Sequence, residues 1–285
     1  MSVLLADIGG THARFAILKS GRLSDIYRYR CSDLKSAYMA IRSFLLMQTV
    51  KPKYAVIAMA GVVMNGQGKW TNLPWSLSEK RLKEEFGFYS VMLVNDLIPQ
   101  GVGIACLKAS DIVALNKAKP QKKSLKVLMS LGTGLGACII GPDAVYPTEY
   151  GQTMLSDGSV LEKSLSAYGL KSVYEKHAGK ALSASTIERH LRQGQEHAVK
   201  AYEHFYGLLA QTAQNMALSV QPMGGLYLAG GMLSIQDLKK SDFAAKFINH
   251  PTMHTLLKNV PVYLIVNKDL AFIGLSKLAK KSCWT

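Results

Sequence analysis

The sequence predicts an α/β chain of two domains flanking a cleft, and three observations predict it. A strand–glycine turn–strand unit occurs once in each half, helical stretches separate further strand-like runs, and chemistry-bearing residues fall at strand ends. The 285 residues suffice for two modest α/β domains. Residues 3–6 and 14–18 read as strands joined by a tight turn, 36–47 as a helix, and 54–60 as a buried strand of β-branched and small residues. A helix over 77–86 and a strand over 91–94 follow, and Asn95-Asp96 closes that strand at its carboxyl end, where ligands gather in open α/β sheets. The second half opens with strands at 127–131 and 137–140 around a glycine-rich turn. One or two helices over 190–220 carry apolar Tyr202, Phe205, Leu209, Met216 and Val220. Strands at 226–228 and 262–266 and a helix at 270–278 complete it. The expected division is residues 1–97 plus 268–285 as the smaller domain and 98–267 as the larger.

Composition narrows the function classes. Hydrophobic residues at 48% against 19% charged describe a globular chain with a core, not a disordered one. The longest apolar runs, 54–60 and 127–131, are strand-sized, so no membrane span is expected. The first seven residues have no basic n-region, and a signal peptide is not expected. Cys31, Cys106, Cys138 and Cys283 form no CxxC pair. That fits reduced thiols in the cytoplasm and neither a zinc site nor a disulfide frame. The net charge of +15 is concentrated in part in an expected exposed loop bearing Lys117, Lys119, Lys122, Lys123 and Lys126. Such a surface favours anionic substrates, but no nucleic-acid motif accompanies it, so no specific nucleic-acid partner is expected.

Four patterns carry chemistry. In Asp7-Ile8-Gly9-Gly10-Thr11-His12-Ala13-Arg14 an acid ends a strand and two glycines let the backbone present N–H groups to a phosphate, with Thr11 adding a hydroxyl and Asp7 a carboxylate for Mg²⁺. Leu131-Gly132-Thr133-Gly134-Leu135-Gly136 runs from strand into strand, which argues against a dinucleotide fold and suits a strand–loop–strand phosphate clamp. Gly224 to Gly231 reads as a buried strand ending in Gly230-Gly231, where an adenosine could lie against bare backbone. Asp96 has the placement of a general base for a hydroxyl that attacks a γ-phosphate. Glu149, Gln152 and Glu162 could hydrogen-bond sugar hydroxyls. Taken singly, the first pattern fits a plain turn as well as a site, and the Gly224–Gly231 segment, Asp96, Glu149, Gln152 and Glu162 fit a turn or a surface residue better.

Taken in order they resemble one family over nearly the whole chain, the bacterial ATP-dependent glucokinases of the sugar kinase/Hsp70/actin superfamily. Asp7–Arg14 is similar to the family's DxGGTNAR loop, with His12 in place of asparagine. Ala60-Gly61-Val62-Val63 and Trp70-Thr71-Asn72-Leu73-Pro74-Trp75 resemble its AGPV and TNxxW segments, with Val62 in place of proline. Val94-Asn95-Asp96-Leu97 matches INDF, Gly132 to Gly136 matches GTGLG, and Pro261 to Val266 its closing strand. The resemblance implies two actin-like (ribonuclease H-like) domains and transfer from Mg·ATP to the 6-hydroxyl of glucose, with Asp96 as base. It implies sugar contacts at Asn95, Asp96, Glu149, Gln152 and Glu162. It places nucleotide and phosphate on Asp7, Gly9, Gly10, Thr11, Gly132, Thr133, Gly134, Gly230 and Gly231, and the metal at Asp7. It also allows a homodimer. Gln152 stands where the family carries a sugar-contacting histidine, and the stretch from Gln152 to Glu162 is shorter than usual. A kinase for another hexose or amino sugar is therefore the alternative, and a regulator that binds sugar and nucleotide without turnover is a more distant one. The related ROK kinases carry a cysteine-rich zinc motif, which has no counterpart in the spacing here.

Overall fold

The computed structural model describes residues 1–70 and 73–281; Thr71, Asn72 and Cys283 lie outside the described residues. The chain divides into two compact units, Met1–Leu107 with Asp269–Thr285, and Lys108–Lys268.

In the first unit β1 (Ser2–Ile8) and β2 (His12–Lys19) form an antiparallel hairpin, and short β3 (Arg22–Leu23) and β4 (Tyr27–Arg30) both pair with β2. Helix α1 (Ala37–Leu46) starts at Ser36, whose hydroxyl accepts from Met39 N at 3.2 Å. Strand β5 (Tyr54–Met59) then joins β1 in parallel. The next strands, β6 (Gly61–Met64), β7 (Gln67–Trp70) and β8 (Ser76–Ser78), make a small antiparallel sheet of their own. Helix α2 (Glu79–Phe86) precedes β9 (Ser90–Asn95), which lies parallel to β5, and α3 (Leu97–Ile104) follows at once. The helix expected from residue 77 starts at Glu79, because Leu77 pairs with Gly68 across β7 and β8. Alternation along β1 sends Leu4, Ala6 and Ile8 to one core, and Val3 and Leu5 to a second core that Phe272 and Leu275 complete from the last helix, Leu270–Lys281.

The second unit repeats the path. After β10 (Ile112–Ala114) come β11 (Lys126–Leu131), β12 (Leu135–Ile140) and β13 (Val145–Thr148), a run of antiparallel neighbours from β11 onward. Helices α4 (Leu161–Ser164), α5 (Ala167–Ala178), α6 (Ala184–Arg192) and α7 (Glu196–Val220) follow. Gly194, at φ +70°, separates the last two, so the helical stretch expected over 190–220 is a pair. Tyr202, Phe205, Leu209 and Met216 of α7 are buried at helical spacing against the sheet. Strand β14 (Leu226–Ala229), helices α8 (Ile235–Lys240), α9 (Phe243–Ile248) and α10 (His254–Lys258), and β15 (Val262–Ile265) end the unit, giving the order β10-β15-β14-β11-β12-β13. In both units a hairpin's first strand is extended by two parallel strands, and its second by antiparallel ones. That is the ribonuclease H-like path, present twice as in actin-like proteins.

The units part at 107/108 and 268/269, where the sequence suggests 97/98 and 267/268. The difference is α3, which packs on the last helix through glycines: a Cβ on Gly274 would collide with the Pro99 carbonyl, and one on Gly103 would sit 2.6 Å from the Leu270 carbonyl oxygen. Alanine normally favours a helix over glycine by about 1 kcal/mol. At Gly274 a rigid backbone neighbour reverses that sign. Gly274→Ala is expected to cost about 1–3 kcal/mol and lower the thermal midpoint by several degrees. An unchanged midpoint would show that the two helices are not this close.

Candidate active site

The carboxyl ends of three parallel strands come level in the first unit. Asp7 pairs in register with Ala58 of β5, and Ala58 with Val94 of β9. The ladder continues past the strands, with Ala60 N donating to Ile8 O and Asp96 N to Met59 O, both at 3.0 Å. Asp96 is thereby pinned by its own backbone at the sheet's carboxyl edge, as the residue preceding α3, and it is half-buried. Asn95 beside it works within the protein: its Nδ2 donates to Gly61 O at 3.1 Å and its Oδ1 accepts from Leu97 N at 2.9 Å. It ties the start of α3 to the strand after β5 and so orients Asp96.

Asp7 is 8% exposed and is held by Arg14, its cross-strand partner in the β1–β2 hairpin. Arg14 donates to Asp7 Oδ2 from Nε at 2.9 Å and again from a terminal nitrogen. The turn between the strands is tight, with Gly9 N donating to His12 O at 2.9 Å. Cys31 fastens it from beneath: its N donates to Thr11 O at 2.9 Å and its thiol to Gly9 O at 3.5 Å. Trp70 Nε1 adds a bond to Ile8 O at 3.2 Å. Space over Gly10 is open, so nothing in the protein requires its missing side chain. A ligand that must approach the backbone would require it.

In the second unit the Gly132–Gly134 loop closes the β11–β12 hairpin, with Gly132 N donating to Gly134 O at 2.9 Å. Gly230 abuts it. This residue has φ +125°, and a Cβ there would strike the Leu131 carbonyl, so glycine is required on both counts. The turn at Gly230-Gly231 and the Gly132 loop therefore sit side by side. Gln152 and Glu162 also meet, Gln152 Nε2 donating to Glu162 Oε1 at 2.8 Å. The shortened segment between them explains how: Met154 bridges Val160, Leu155 N donates to Ser159 O at 2.8 Å, and Gly158 turns the chain at φ +79°. The other carboxylate oxygen of Glu162 lies where a Cβ on Gly134 would come within 2.5 Å. Glu149 is exposed and opens the single helical turn that carries Gln152.

A cavity of about 270 Å³ beside the loop is lined by Thr133, Glu162, Lys163, Ser166 and Tyr168. Lys163, Ser166 and Arg14's service to Asp7 escape sequence analysis. Ser166 is a buried helix cap, accepting from Gly169 N at 3.3 Å, and a capping serine before a helical run is the signal that would have found it. Arg14 is visible only once the hairpin register is known.

The described residues contain no group of three or more His, Cys, Asp or Glu side chains poised for a metal ion. One carboxylate suffices for Mg²⁺, which keeps most of its waters and takes further ligands from substrate phosphates. Asp7 Oδ1 accepts no hydrogen bond among the described residues and can serve that way.

Comparison with known proteins identifies the family. The family model described as glucokinase matches residues 4–168 and 158–282. The chain belongs to the glucokinase family. It is 28% identical to a glucokinase of Nitrobacter hamburgensis over 96% of both chains, and 29% identical to one of Nostoc punctiforme over 99% of this chain and 100% of the other. Among solved structures, a glucokinase from an Antarctic psychrotroph superposes with a TM-score of 0.79 at 25% identity, covering 98% of this chain and 99% of that one. A Balamuthia mandrillaris glucokinase in complex with glucose shares the fold, with a TM-score of 0.82 at 19% identity over 98% and 93% of the two chains.

Burial pushes the Cys31 thiol up to about 11, leaving about one part in a thousand as thiolate at pH 8. Brief iodoacetamide treatment of this glucokinase-family chain at pH 8 is expected to modify exposed Cys106 and spare Cys31 and Cys138, as read by peptide mass spectrometry. Rapid modification of Cys31 would mean that the Gly9 turn does not close over it.

Proposed function

We propose that this chain transfers the γ-phosphoryl group of ATP to the 6-hydroxyl of glucose, with Asp96 as the general base. The observation that carries this reading is the level placement of Asp96 and the Asp7–Gly10 turn on one carboxyl edge of the sheet, in a chain matched to the glucokinase family almost end to end. Phosphoryl transfer needs positioning and charge stabilisation more than covalent chemistry. Asp96 accepts the proton of the attacking hydroxyl, and its main-chain anchor to Met59 O keeps the carboxylate from drifting. Asn95 orients that base and, with its remaining hydrogen-bonding capacity, contacts the sugar. Glu149, Gln152 and Glu162 bind sugar hydroxyls.

Backbone N–H groups at Gly9, Gly10 and Thr11, and at Gly132, Thr133 and Gly134, hold phosphate oxygens, and the Thr11 and Thr133 hydroxyls add donors. Gly230 and Gly231 present bare backbone to the adenosine. Asp7 would hold Mg²⁺, which neutralises phosphate charge when bound. Arg14 fixes that carboxylate's rotamer while its own charge keeps the pocket from becoming too acidic for a triphosphate. No helix among the described residues is long and apolar enough to cross a membrane, and the reaction's substrates belong to the cytoplasm.

Asp96→Asn keeps shape and removes the base, so turnover should fall by about 10²–10⁴-fold with the fold intact. Near-normal turnover, measured by coupled ADP release with circular dichroism as the control, would remove Asp96 from this role.

The Gln152–Glu162 hydrogen bond bears on sugar choice, and the alternative to glucose is another hexose or an amino sugar. A neutral amide donating to Glu162 leaves that carboxylate fewer lone pairs for the sugar. In a panel of glucose, mannose, galactose and their 2-amino forms, glucose is expected to show the highest kcat/KM, and Gln152→Ala to lower it by about tenfold, the worth of one hydrogen bond to a charged group. Equal rates across the epimers would favour the other hexose or amino-sugar kinase.

A further inference from the structure

The face of the first unit's sheet next to the Asp7 turn carries an arrangement that the kinase reaction does not use. Strands β2 and β4 pair so that His12 lies opposite Arg30 and Arg14 opposite Arg28. Directly opposed residues of an antiparallel pair point to the same face. The intervening residues confirm the parity: Phe15 contacts Tyr29 edge-on and stacks on Phe44, and Tyr27 meets Phe44, all on the opposite face. Arg14 stands over the Phe272 ring of the last helix at 5.5 Å, which identifies the cationic face as the one that helix covers. Three arginines and a histidine thus form a two-by-two ladder. Asp7 balances Arg14, whereas neither Arg28 nor Arg30 has an ion pair among the described residues.

Like charges set directly across a strand pair destabilise it, and nothing in the packing of this exposed edge calls for arginine. The local field is felt by His12, whose proton affinity is lowered by burial first and then by Arg28, Arg30 and Arg14. Asp7 on β1 is the acid paired with Arg14, and the groove that Phe272 helps to line along the last helix carries Asp269, Lys277 and Lys280. Cations outnumber acids among these described groups. Arg28 and Arg30, without an ion pair among the described residues, keep their parallel N–H donors for the oxygens of a phosphate dianion, whereas two of Arg14's donors are committed to Asp7.

We propose that the His12–Arg14–Arg28–Arg30 ladder is a second anion site, centred on Arg28 and Arg30 of β4 outside the nucleotide's phosphate loops, which binds a phosphate dianion, either inorganic phosphate or the phosphate group of the sugar phosphate product. An anion there offsets the cross-strand repulsion and raises His12's lowered affinity for a proton back toward its ordinary value, so binding takes up protons on the acid side of that value.

Two measurements on the intact chain test it, neither depending on turnover. Ring NMR titrations of His12, assigned with H12N, should move to higher pH in millimolar phosphate and stay put in sodium chloride of equal ionic strength. Parallel titrations with glucose 6-phosphate separate the two sources: the one bound at lower concentration is the ligand. In R28Q/R30Q, phosphate affinity should fall about tenfold or more and the phosphate-induced rise in thermal midpoint should vanish, while the Kd for ATP stays within about twofold. The midpoint of that variant without phosphate should be equal or higher, because repulsion has been removed. The proposal is overturned if neither phosphate source moves His12, or if chloride moves it equally. It is also overturned if R28Q/R30Q loses ATP affinity in step with phosphate, since the ladder would then belong to the nucleotide site. A failed Asp96→Asn test would leave all of these readouts intact.

Discussion

The architecture depends on one feature, the hydrogen-bond register at the carboxyl ends of β1, β5 and β9. Parallel strands in register end at a common level, and here the bonds run one residue beyond the strands, from Ala60 to Ile8 and from Asp96 to Met59. Those bonds place Asp96 level with Asp7 at one edge of the sheet. A slip of one residue in β9 would send Asp96 to the opposite face of the sheet, since side chains alternate with period two. The strands are held against slipping by burial on both faces, with Leu4, Ala6 and Ile8 in one core and Val3 and Leu5 in the other. The geometry of the candidate site is in that sense a by-product of core packing, as it is for sites set on rigid elements generally.

The second unit solves a related problem with shorter elements. Its glycine hairpin and the turn after β14 are adjacent because β14 runs parallel to β11, and Gly230 alone allows the Leu131 carbonyl so close. Gln152 and Glu162 are joined by a turn instead of a longer insertion, and the turn's tightness puts amide and carboxylate in direct contact. An amide there keeps one more neutral group beside Glu162 than an imidazole able to take a proton would. The consequence is a Gln152–Glu162 pair whose charge does not change near neutral pH through residue 152.

Positive charge is the chain's bulk peculiarity, and its distribution separates two kinds of basic surface. Lysines 117, 119, 122 and 123 lie on an exposed connection, where long flexible side chains are solvated and cost little. The arginines at 28 and 30 sit in a strand, opposite Arg14 and His12, where their backbone positions are fixed by ladder bonds. Only the second arrangement concentrates a field, because the backbone forbids the charges from moving apart.

Much of this was legible in the residues alone. Two α/β halves, the hairpins around Gly9-Gly10 and Gly132–Gly134, most of the strands and the family follow from strand-sized apolar runs, glycine punctuation and motif order, all of which are local properties of the chain. The small β6–β7–β8 sheet was not legible, since its strands are only three or four residues long and too short to show a period. Nor was the membership of α3, which is decided by glycines at 103 and 274 that are 171 positions apart and meaningful only in contact. The partners of the acids lay out of reach in the same way: Arg14 on Asp7 follows from hairpin register, and Gln152 on Glu162 from the closure of a turn. A sequence determines which groups are available and which backbone conformations they prefer. Which of them meet is decided by tertiary structure, because contact depends on register and packing between segments that no local pattern records.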